Sequence, residues 1–432
     1  MRKYILVLGI SLVLAVSGGI GIASRSAPEP ARTGAPDVRI EPGDGRDLTA
    51  VIAQLEDAVD RVPDDHVTWA NLALAYVEQV RVSGDTTLYD RAEDAVTRSL
   101  EIQPDDNVGA LTARSALLAV GHDFTDALAA ADEALAIDPY HPAALLLRID
   151  AITELGRYDD QLTALRTADR RQPGVGVVAR YAYAYELRGD IDRAAQVLRG
   201  ALSSAILGDR AHLLTLLADV ERRSGRLGRT SALLGEVRRI DPDYLPALIS
   251  RARLHMAQGR YASAADLWER VVDRADHPEH LVELLEIYLV LGRDDLAAAQ
   301  AEKLVDYAST KTSAELGREL DVALFMSDYD DPRVGLAAAR SEWRARKGVP
   351  AADALGWALH RVGRSEDALR YTRLATRLGT PDAVFWIHRG LIEDAVGLDE
   401  AARKHLRYGL GLDAGIPPSS RAEARTALRG LR

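Results

Sequence analysis

Seven twelve-residue stretches of this chain align without a gap on a shared glycine. They are "ELGRYDDQLTAL" (Glu154 to Leu165), "LRGDIDRAAQVL" from Leu187, "RSGRLGRTSALL" from Arg223, "AQGRYASAADLW" from Ala257, "VLGRDDLAAAQA" from Val290, "RVGRSEDALRYT" from Arg361 and "AVGLDEAARKHL" from Ala395. The glycines, Gly156, Gly189, Gly225, Gly259, Gly292, Gly363 and Gly397, are 33, 36, 34, 33, 71 and 34 residues apart, so the long step holds two units and a short insertion. Prolines keep the same time: Pro63, Pro104, Pro139, Pro173 and Pro242 are separated by 41, 35, 34 and 69 residues. A chain of 432 residues is too long for one ordinary core. Two markers sharing one period make it an array of stacked units whose core grows with its length.

Each mark has a physical reason. Glycine belongs where a first helix ends, because the left-handed cap conformation costs little without a Cβ. Proline belongs just past a second helix, which it cannot continue. Small residues such as Ala264, Ala297, Ala368 and Ala402 fall where two helix backbones approach, and Leu165, Leu198, Leu234, Trp268 and Leu406 fill the hole one turn later. Gly156 closes a helix and Tyr158 plugs the turn behind it. Composition agrees: 28% of residues are charged and 5% aromatic, the balance of amphipathic helices rather than of a sheet protein.

Longer stretches carry a family pattern. Trp69, Leu72, Ala73 and Tyr76 precede Ala92, Val96 and Pro104. Phe124, Ala127, Ala131, Ala134 and Pro139 follow, then Tyr181, Ala182, Tyr185, Ala194 and Leu198, and finally Trp386, Gly390, Ala402 and Leu406. This arrangement resembles the tetratricopeptide repeat (TPR) family. The resemblance implies an all-α fold, a right-handed α-α superhelical solenoid of about nine or ten helix pairs over residues 47–415, closed by a capping helix over residues 416–432. Some units depart from the pattern. Gln161 and Thr230 replace the close-packing alanine, which predicts looser crossings there, and Ser313 to Ala345 lacks a glycine cap.

The N-terminus speaks to compartment. After Arg2 and Lys3, the stretch Tyr4 to Ala23 runs twenty residues without a charge, the length that crosses a bilayer as a helix. Residues 1–23 therefore read as a retained signal anchor or as a signal peptide cleaved after Ser17, with a buried soluble helix as the third reading. In the first two, the basic flank stays in the cytoplasm and the rest lies outside it. Residues 24–46, with Pro28, Pro30, Pro36 and Pro42, read as a semi-extended tether. Cysteine is absent, which excludes disulfides, thiolate metal sites, a cysteine nucleophile and a lipidated N-terminal cysteine. Five lysines among 54 basic residues point to GC-rich bacterial coding. The expected location is the extracytoplasmic side of a bacterial cell envelope, membrane-anchored or secreted.

Motifs for catalysis are thin. "GVGVVA" from Gly174 fits a dinucleotide fingerprint but follows a polar helix instead of a strand, and reads as an inter-repeat turn. "HPEH" from His277 lacks the i, i+4 spacing of a helical zinc site. "SDYDDPRVG" from Ser327 puts Pro332 and Arg333 where a calcium loop needs an oxygen ligand and a glycine turn, and reads as an acidic helix start. No cofactor or metal is expected, and no enzyme. The net charge of -11 excludes a general nucleic-acid binder and an RNA-reading pentatricopeptide array.

What remains is a concave face. In TPRs the first helix of each pair lines the inner surface, and the resemblance puts Asp150, Tyr183, Asp219, Arg222, Arg253, Glu286, Trp357 and His360 on it. Exposed Tyr, Trp and Arg are favoured anchors, and a groove of both signs suits a polypeptide better than a polyanion. The expectation is a non-catalytic scaffold that holds a protein partner in its groove. The alternative is an accessory subunit of an envelope glycan assembly or secretion machine.

Overall fold

The computed structural model describes residues 48–83, 87–205, 207–412 and 416–431. The expected leader and tether lie outside the described residues. Among the described residues there are 23 helices and no strand, and no helix is long and apolar enough to cross a membrane. A single helix, α1 (Leu48–Arg61), comes first, followed by ten pairs. They are α2 (His66–Ser83) with α3 (Leu88–Ile102), α4 (Val108–Val120) with α5 (Phe124–Ile137), α6 (Pro142–Glu154) with α7 (Tyr158–Arg171), α8 (Val175–Leu187) with α9 (Ile191–Leu202) and α10 (Leu207–Arg223) with α11 (Leu227–Ile240). After α12 (Leu245–Ala257) with α13 (Tyr261–Val272) and α14 (Pro278–Val290) with α15 (Asp294–Ser309) comes a short extra helix, α16 (Ser313–Arg318). The last pairs are α17 (Leu320–Tyr329) with α18 (Pro332–Ala345), α19 (Val349–Arg361) with α20 (Ser365–Ala375) and α21 (Ala383–Ala395) with α22 (Asp399–Leu412), closed by α23 (Pro418–Gly430). The fingerprint-like stretch at Gly174 is the turn that starts α8.

The chain divides into two compact units, with a boundary inside α8. The first holds α1 to α7 and α8 as far as Arg180, together with residues 205–209; the second holds 181–204 and everything from Arg210 onward. Each has a core that runs along its repeats. In the first unit Leu55, Leu72, Tyr76, Ala92, Ala131 and Leu147 belong to one buried cluster. In the second, Leu248, Ala264, Trp268, Ile287 and Ala297 form one cluster, and Leu355, Ala368, Ile387, Ala402 and Leu406 another. The expected small and large residues are thus where the helices cross.

All seven repeat glycines have positive φ, between 64° and 79°. At Gly156 the amide of Arg157 bonds the carbonyl of Ile152 at 3.1 Å and that of Gly156 bonds Thr153 at 3.0 Å. This pair of bonds satisfies the carbonyls that a helix end leaves orphaned. His122, at φ 59°, holds the equivalent corner between α4 and α5 without a glycine. The corner between α17 and α18 has no left-handed residue; Asp330 turns at φ -136°, and Asp331 caps α18 by accepting from the Arg333 amide at 2.9 Å. The acidic stretch is therefore a helix start, as its sequence indicates.

Gln161 and Thr230 stand at the two crossings expected to be looser. Both are buried, and each spends its polar atom across the crossing. Gln161 donates to the Thr153 hydroxyl at 2.8 Å, and the Thr230 hydroxyl donates to the Ala218 carbonyl at 3.3 Å. A hydrogen bond replaces the contact that alanine would make.

Candidate functional site

Successive first helices of the second unit surround a cavity of about 340 Å³ with many charged side chains in its walls. One wall comes from the end of α8 and from α10, α12 and α14; the facing wall comes from α17, α19, α21 and the start of α23. The unit closes on itself to make these walls face each other. The Thr380 hydroxyl, before α21, donates to the Leu187 carbonyl at the end of α8 at 2.7 Å, across 193 residues of sequence. Ser419, at the start of α23, donates to Glu286 of α14 through its hydroxyl at 2.6 Å and its amide at 3.2 Å.

The repeat places the side chains. Tyr183, Asp219, Arg253, Glu286 and Trp357 each stand six residues before the glycine that ends their helix, and Arg222 and His360 stand three before it, one turn on. Tyr183, Arg222, Arg253 and Glu286 reach the cavity. Asp219 lies behind it, accepting from the Ser250 hydroxyl at 2.8 Å and standing 3.5 Å from the Arg222 guanidinium. Arg253 pairs with Glu283 at 3.3 Å and lies over the Trp268 ring. Arg223 pairs with Glu186, and Tyr329 donates its hydroxyl to Glu286.

Three expected residues have other work. Trp357 is only 2% exposed: its ring stacks on His388 at 3.9 Å, and its Nε1 donates to Asp328 at 2.9 Å. His360 sits beside it, with Nδ1 2.9 Å from the Ser365 hydroxyl, and burial together with Arg361 and His388 pushes its pKa down to about 4. Asp150, in the first unit, is buried against Arg180, whose Nε donates to it at 2.6 Å. Trp357 and Asp150 spend their polar atoms inside the protein, and His360 spends its Nδ1 there.

Electrostatics sets the cavity's character. Among the described residues lining it are eight carboxylates, three guanidinium groups and the imidazole of His388. Burial lowers the pKa of Arg222 and Arg223 and raises that of Asp328 and Asp382, so each charge there is incompletely offset. His388 goes the other way: burial opposes its charge, but Asp353, 2.9 Å from Nδ1, prevails and raises its pKa above the usual value. Sequence reasoning misses Arg223, Glu283, Asp382 and His388. Glu283 and His388 share a signal, each nine residues before the glycine that ends its helix; Asp382 has none, because only the closure of the unit brings the start of α21 opposite α10. Among the described residues no group of three or more His, Cys, Asp or Glu could hold a metal ion; His277 and His280 are helix-start residues of α14. Repeated helix pairs whose first members converge on one concavity define a helical-repeat solenoid.

Residues 115–175 and 249–311 match a family profile described as tetratricopeptide repeat. Those two stretches are tetratricopeptide repeats. The chain is 26% identical over 184 residues to anaphase-promoting complex subunit 7 of Arabidopsis thaliana, a match that covers 41% of this chain and 32% of that subunit. A tetratricopeptide repeat protein from Parabacteroides merdae superposes with a TM-score of 0.41 at 19% identity, covering 53% of this chain and 87% of the other. The anaphase-promoting complex hetero-tetramer Cut9–Hcn1 superposes with a TM-score of 0.42 at 12% identity, covering 89% of this chain and 93% of the other. These likenesses concern the fold.

Proposed function

We propose that this protein is a non-catalytic scaffold that holds a partner polypeptide on the concave face of its second unit, on the extracytoplasmic side of a bacterial cell envelope. One observation carries the binding half of the reading: Tyr183, Arg222, Arg253 and Glu286, from four successive repeats, line a single cavity. Tyr and Arg are the residue types that dominate binding energy, and the mixed charge of the walls selects a polar partner with complementary groups. The envelope half rests on the uncharged stretch from Tyr4 to Ala23 behind Arg2 and Lys3. Tetratricopeptide-repeat proteins, among them subunits of the anaphase-promoting complex, act as protein-interaction scaffolds, and this chain shares their repeat.

A photo-crosslinking amino acid at Tyr183, introduced into the full chain in cells, tests the reading. A discrete adduct with one polypeptide is expected, reduced by Arg253→Glu and not formed from Leu296, which is exposed on α15. Equal labelling from both positions, or none from Tyr183, would overturn it. Alkaline phosphatase fused after Gly430 tests location, since that enzyme needs disulfides and is active only once exported; an inactive fusion would remove the envelope half.

A further inference from the structure

Arg222 is a weakly paired charge of the cavity wall. It is 4% exposed, yet the one carboxylate within ion-pair range among the described residues is Asp219, at a long 3.5 Å. Asp219 is itself shared with the Ser250 hydroxyl. A guanidinium has five N–H donors in a fixed fork that matches a carboxylate bidentately. Burying one with so little acceptance costs several kcal/mol unless something supplies the missing oxygens. Arg222 lines the cavity, and Arg223, next in sequence, lines it too. Both end α10, where the negative end of the helix dipole favours cations but supplies no second oxygen pair.

An anion alone does not fit. Eight carboxylates line the same space against three guanidinium groups; four of the eight are in ion pairs, Glu186 with Arg223, Glu283 with Arg253, Asp353 with His388 and Asp328 with Arg361, and carboxylates still outnumber cations. Further along the same wall, Glu286 of α14 is 6% exposed and receives neutral donors, the hydroxyls of Tyr329 and Ser419 and the Ser419 amide. A phosphate or a dicarboxylate would meet this surplus as repulsion. A simple cation would satisfy the surplus but leave Arg222 as it is. Only a molecule carrying both charges answers both needs, and the cavity's volume is at the lower end of the range for small-ligand sites, about 300–1,000 Å³.

We infer that the cavity of the second unit binds a small zwitterion of the α-amino-acid type, its carboxylate received by Arg222 and its ammonium facing the carboxylate surplus around Glu286. This site shares its cavity, Arg222 and Glu286 with the polypeptide contact proposed above; titration of the chain alone reads it, so its failure is distinguishable from failure of that contact.

Isothermal titration of the full chain with L-lysine and L-arginine, and with cadaverine, hexanoate and inorganic phosphate as partial mimics, tests the inference. Cadaverine is lysine without its carboxylate, and hexanoate keeps a carboxylate and a similar length without either amine. Saturable binding of an amino acid is expected, at least about tenfold tighter than cadaverine, because a hydrogen bond to a charged group is worth roughly 1.5–3 kcal/mol. Hexanoate and phosphate should bind more weakly still. Arg222→Gln should bring lysine down to the affinity of cadaverine while leaving cadaverine unchanged. Cadaverine binding as tightly as lysine would reduce the site to an acidic wall and overturn the inference. Phosphate or hexanoate binding as tightly would make it an anion site and do the same, as would no binding by either amino acid. The comparison of lysine with cadaverine uses the native chain, so it decides even where Arg222→Gln does not fold.

Discussion

The repeat pattern assigns Asp150 to the binding face, and the structure makes it half of a buried ion pair, so the pair is the sharpest place to separate a structural charge from a functional one. Arg180 donates through Nε to Oδ1 at 2.6 Å and through Nη2 to Oδ2, and its Nη1 donates to the Gly176 carbonyl at 3.0 Å. Both side chains are less than 8% exposed. Replacing Arg180 with methionine keeps the length and removes the fork, leaving a buried carboxylate whose partner is gone. Breaking a pair this way costs about 3–5 kcal/mol, more than the pair itself contributes, because the remaining charge has lost its compensation. Burial already raises the Asp150 pKa, and Arg180 is what opposes that rise. Without it the carboxyl protonates more readily, so the folded variant binds a proton that the unfolded chain, titrating near 4, releases. Stability of Arg180→Met therefore falls as pH rises above about 4, by up to about 1.4 kcal/mol per unit, until the raised folded value is passed. Urea unfolding followed by far-ultraviolet circular dichroism at pH 5 and 7 measures this, with hydrogen exchange of α6 as the local readout. Adding Asp150→Asn should restore most of the loss at pH 7, since the neutral amide has no charge left to compensate. An Arg180→Met variant within about 0.5 kcal/mol of the native chain, a typical margin for surface changes, would refute the reasoning. So would a double variant no better than the single one.

Two further outcomes follow from the geometry. A Cβ at Gly335 would lie 2.5 Å from the Ala323 carbonyl oxygen of α17, whereas one at Gly225, φ 71°, meets nothing within 4 Å. Gly335→Ala should therefore cost about 1–3 kcal/mol by forcing two helices apart, and Gly225→Ala about 1 kcal/mol from backbone strain alone; a rise in Tm for Gly335→Ala would contradict the close approach. Glu319 is buried and accepts from the Tyr307 hydroxyl at 2.8 Å, and burial pushes its pKa up to about 8. A raised carboxyl pKa removes stability as pH climbs from the unfolded value near 4.5 through 8, so Glu319→Gln should flatten the pH dependence of Tm over that range, and an unchanged slope would count against it.

The repeat is legible in the sequence because its marks are local. A glycine at Gly156 or Gly397 answers to backbone sterics within one turn of helix, and a proline at Pro104 or Pro139 to the helix it stops. The same register is enough to put Tyr183, Arg253 and Glu286 on the inner face. What sequence cannot supply is the use each inner residue makes of its neighbours. Trp357 and Glu286 stand at equivalent positions, but the first stacks on His388 and the second meets Ser419, 133 residues away. Those contacts depend on how far the second unit curls, which is the sum of many small helix-crossing angles and leaves no mark at any one residue. Departures at Gln161 and Thr230 are visible, but their consequence depends on where a partner carbonyl or hydroxyl lies.

The cavity exists because the second unit curls until α8 and the α20–α21 loop meet, which brings its two walls opposite each other. With no native cysteine, Arg188→Cys and Pro381→Cys, which flank the bond from Thr380 to Leu187 and leave it intact, can be introduced together and treated with a short bismaleimide. The two positions are held close by the bond from the Thr380 hydroxyl to the Leu187 carbonyl. Near-complete intramolecular cross-linking of the folded double variant is predicted, seen as a mobility shift that neither single variant gives and that urea abolishes. A folded double variant that takes up two separate maleimides without joining them would contradict the closure.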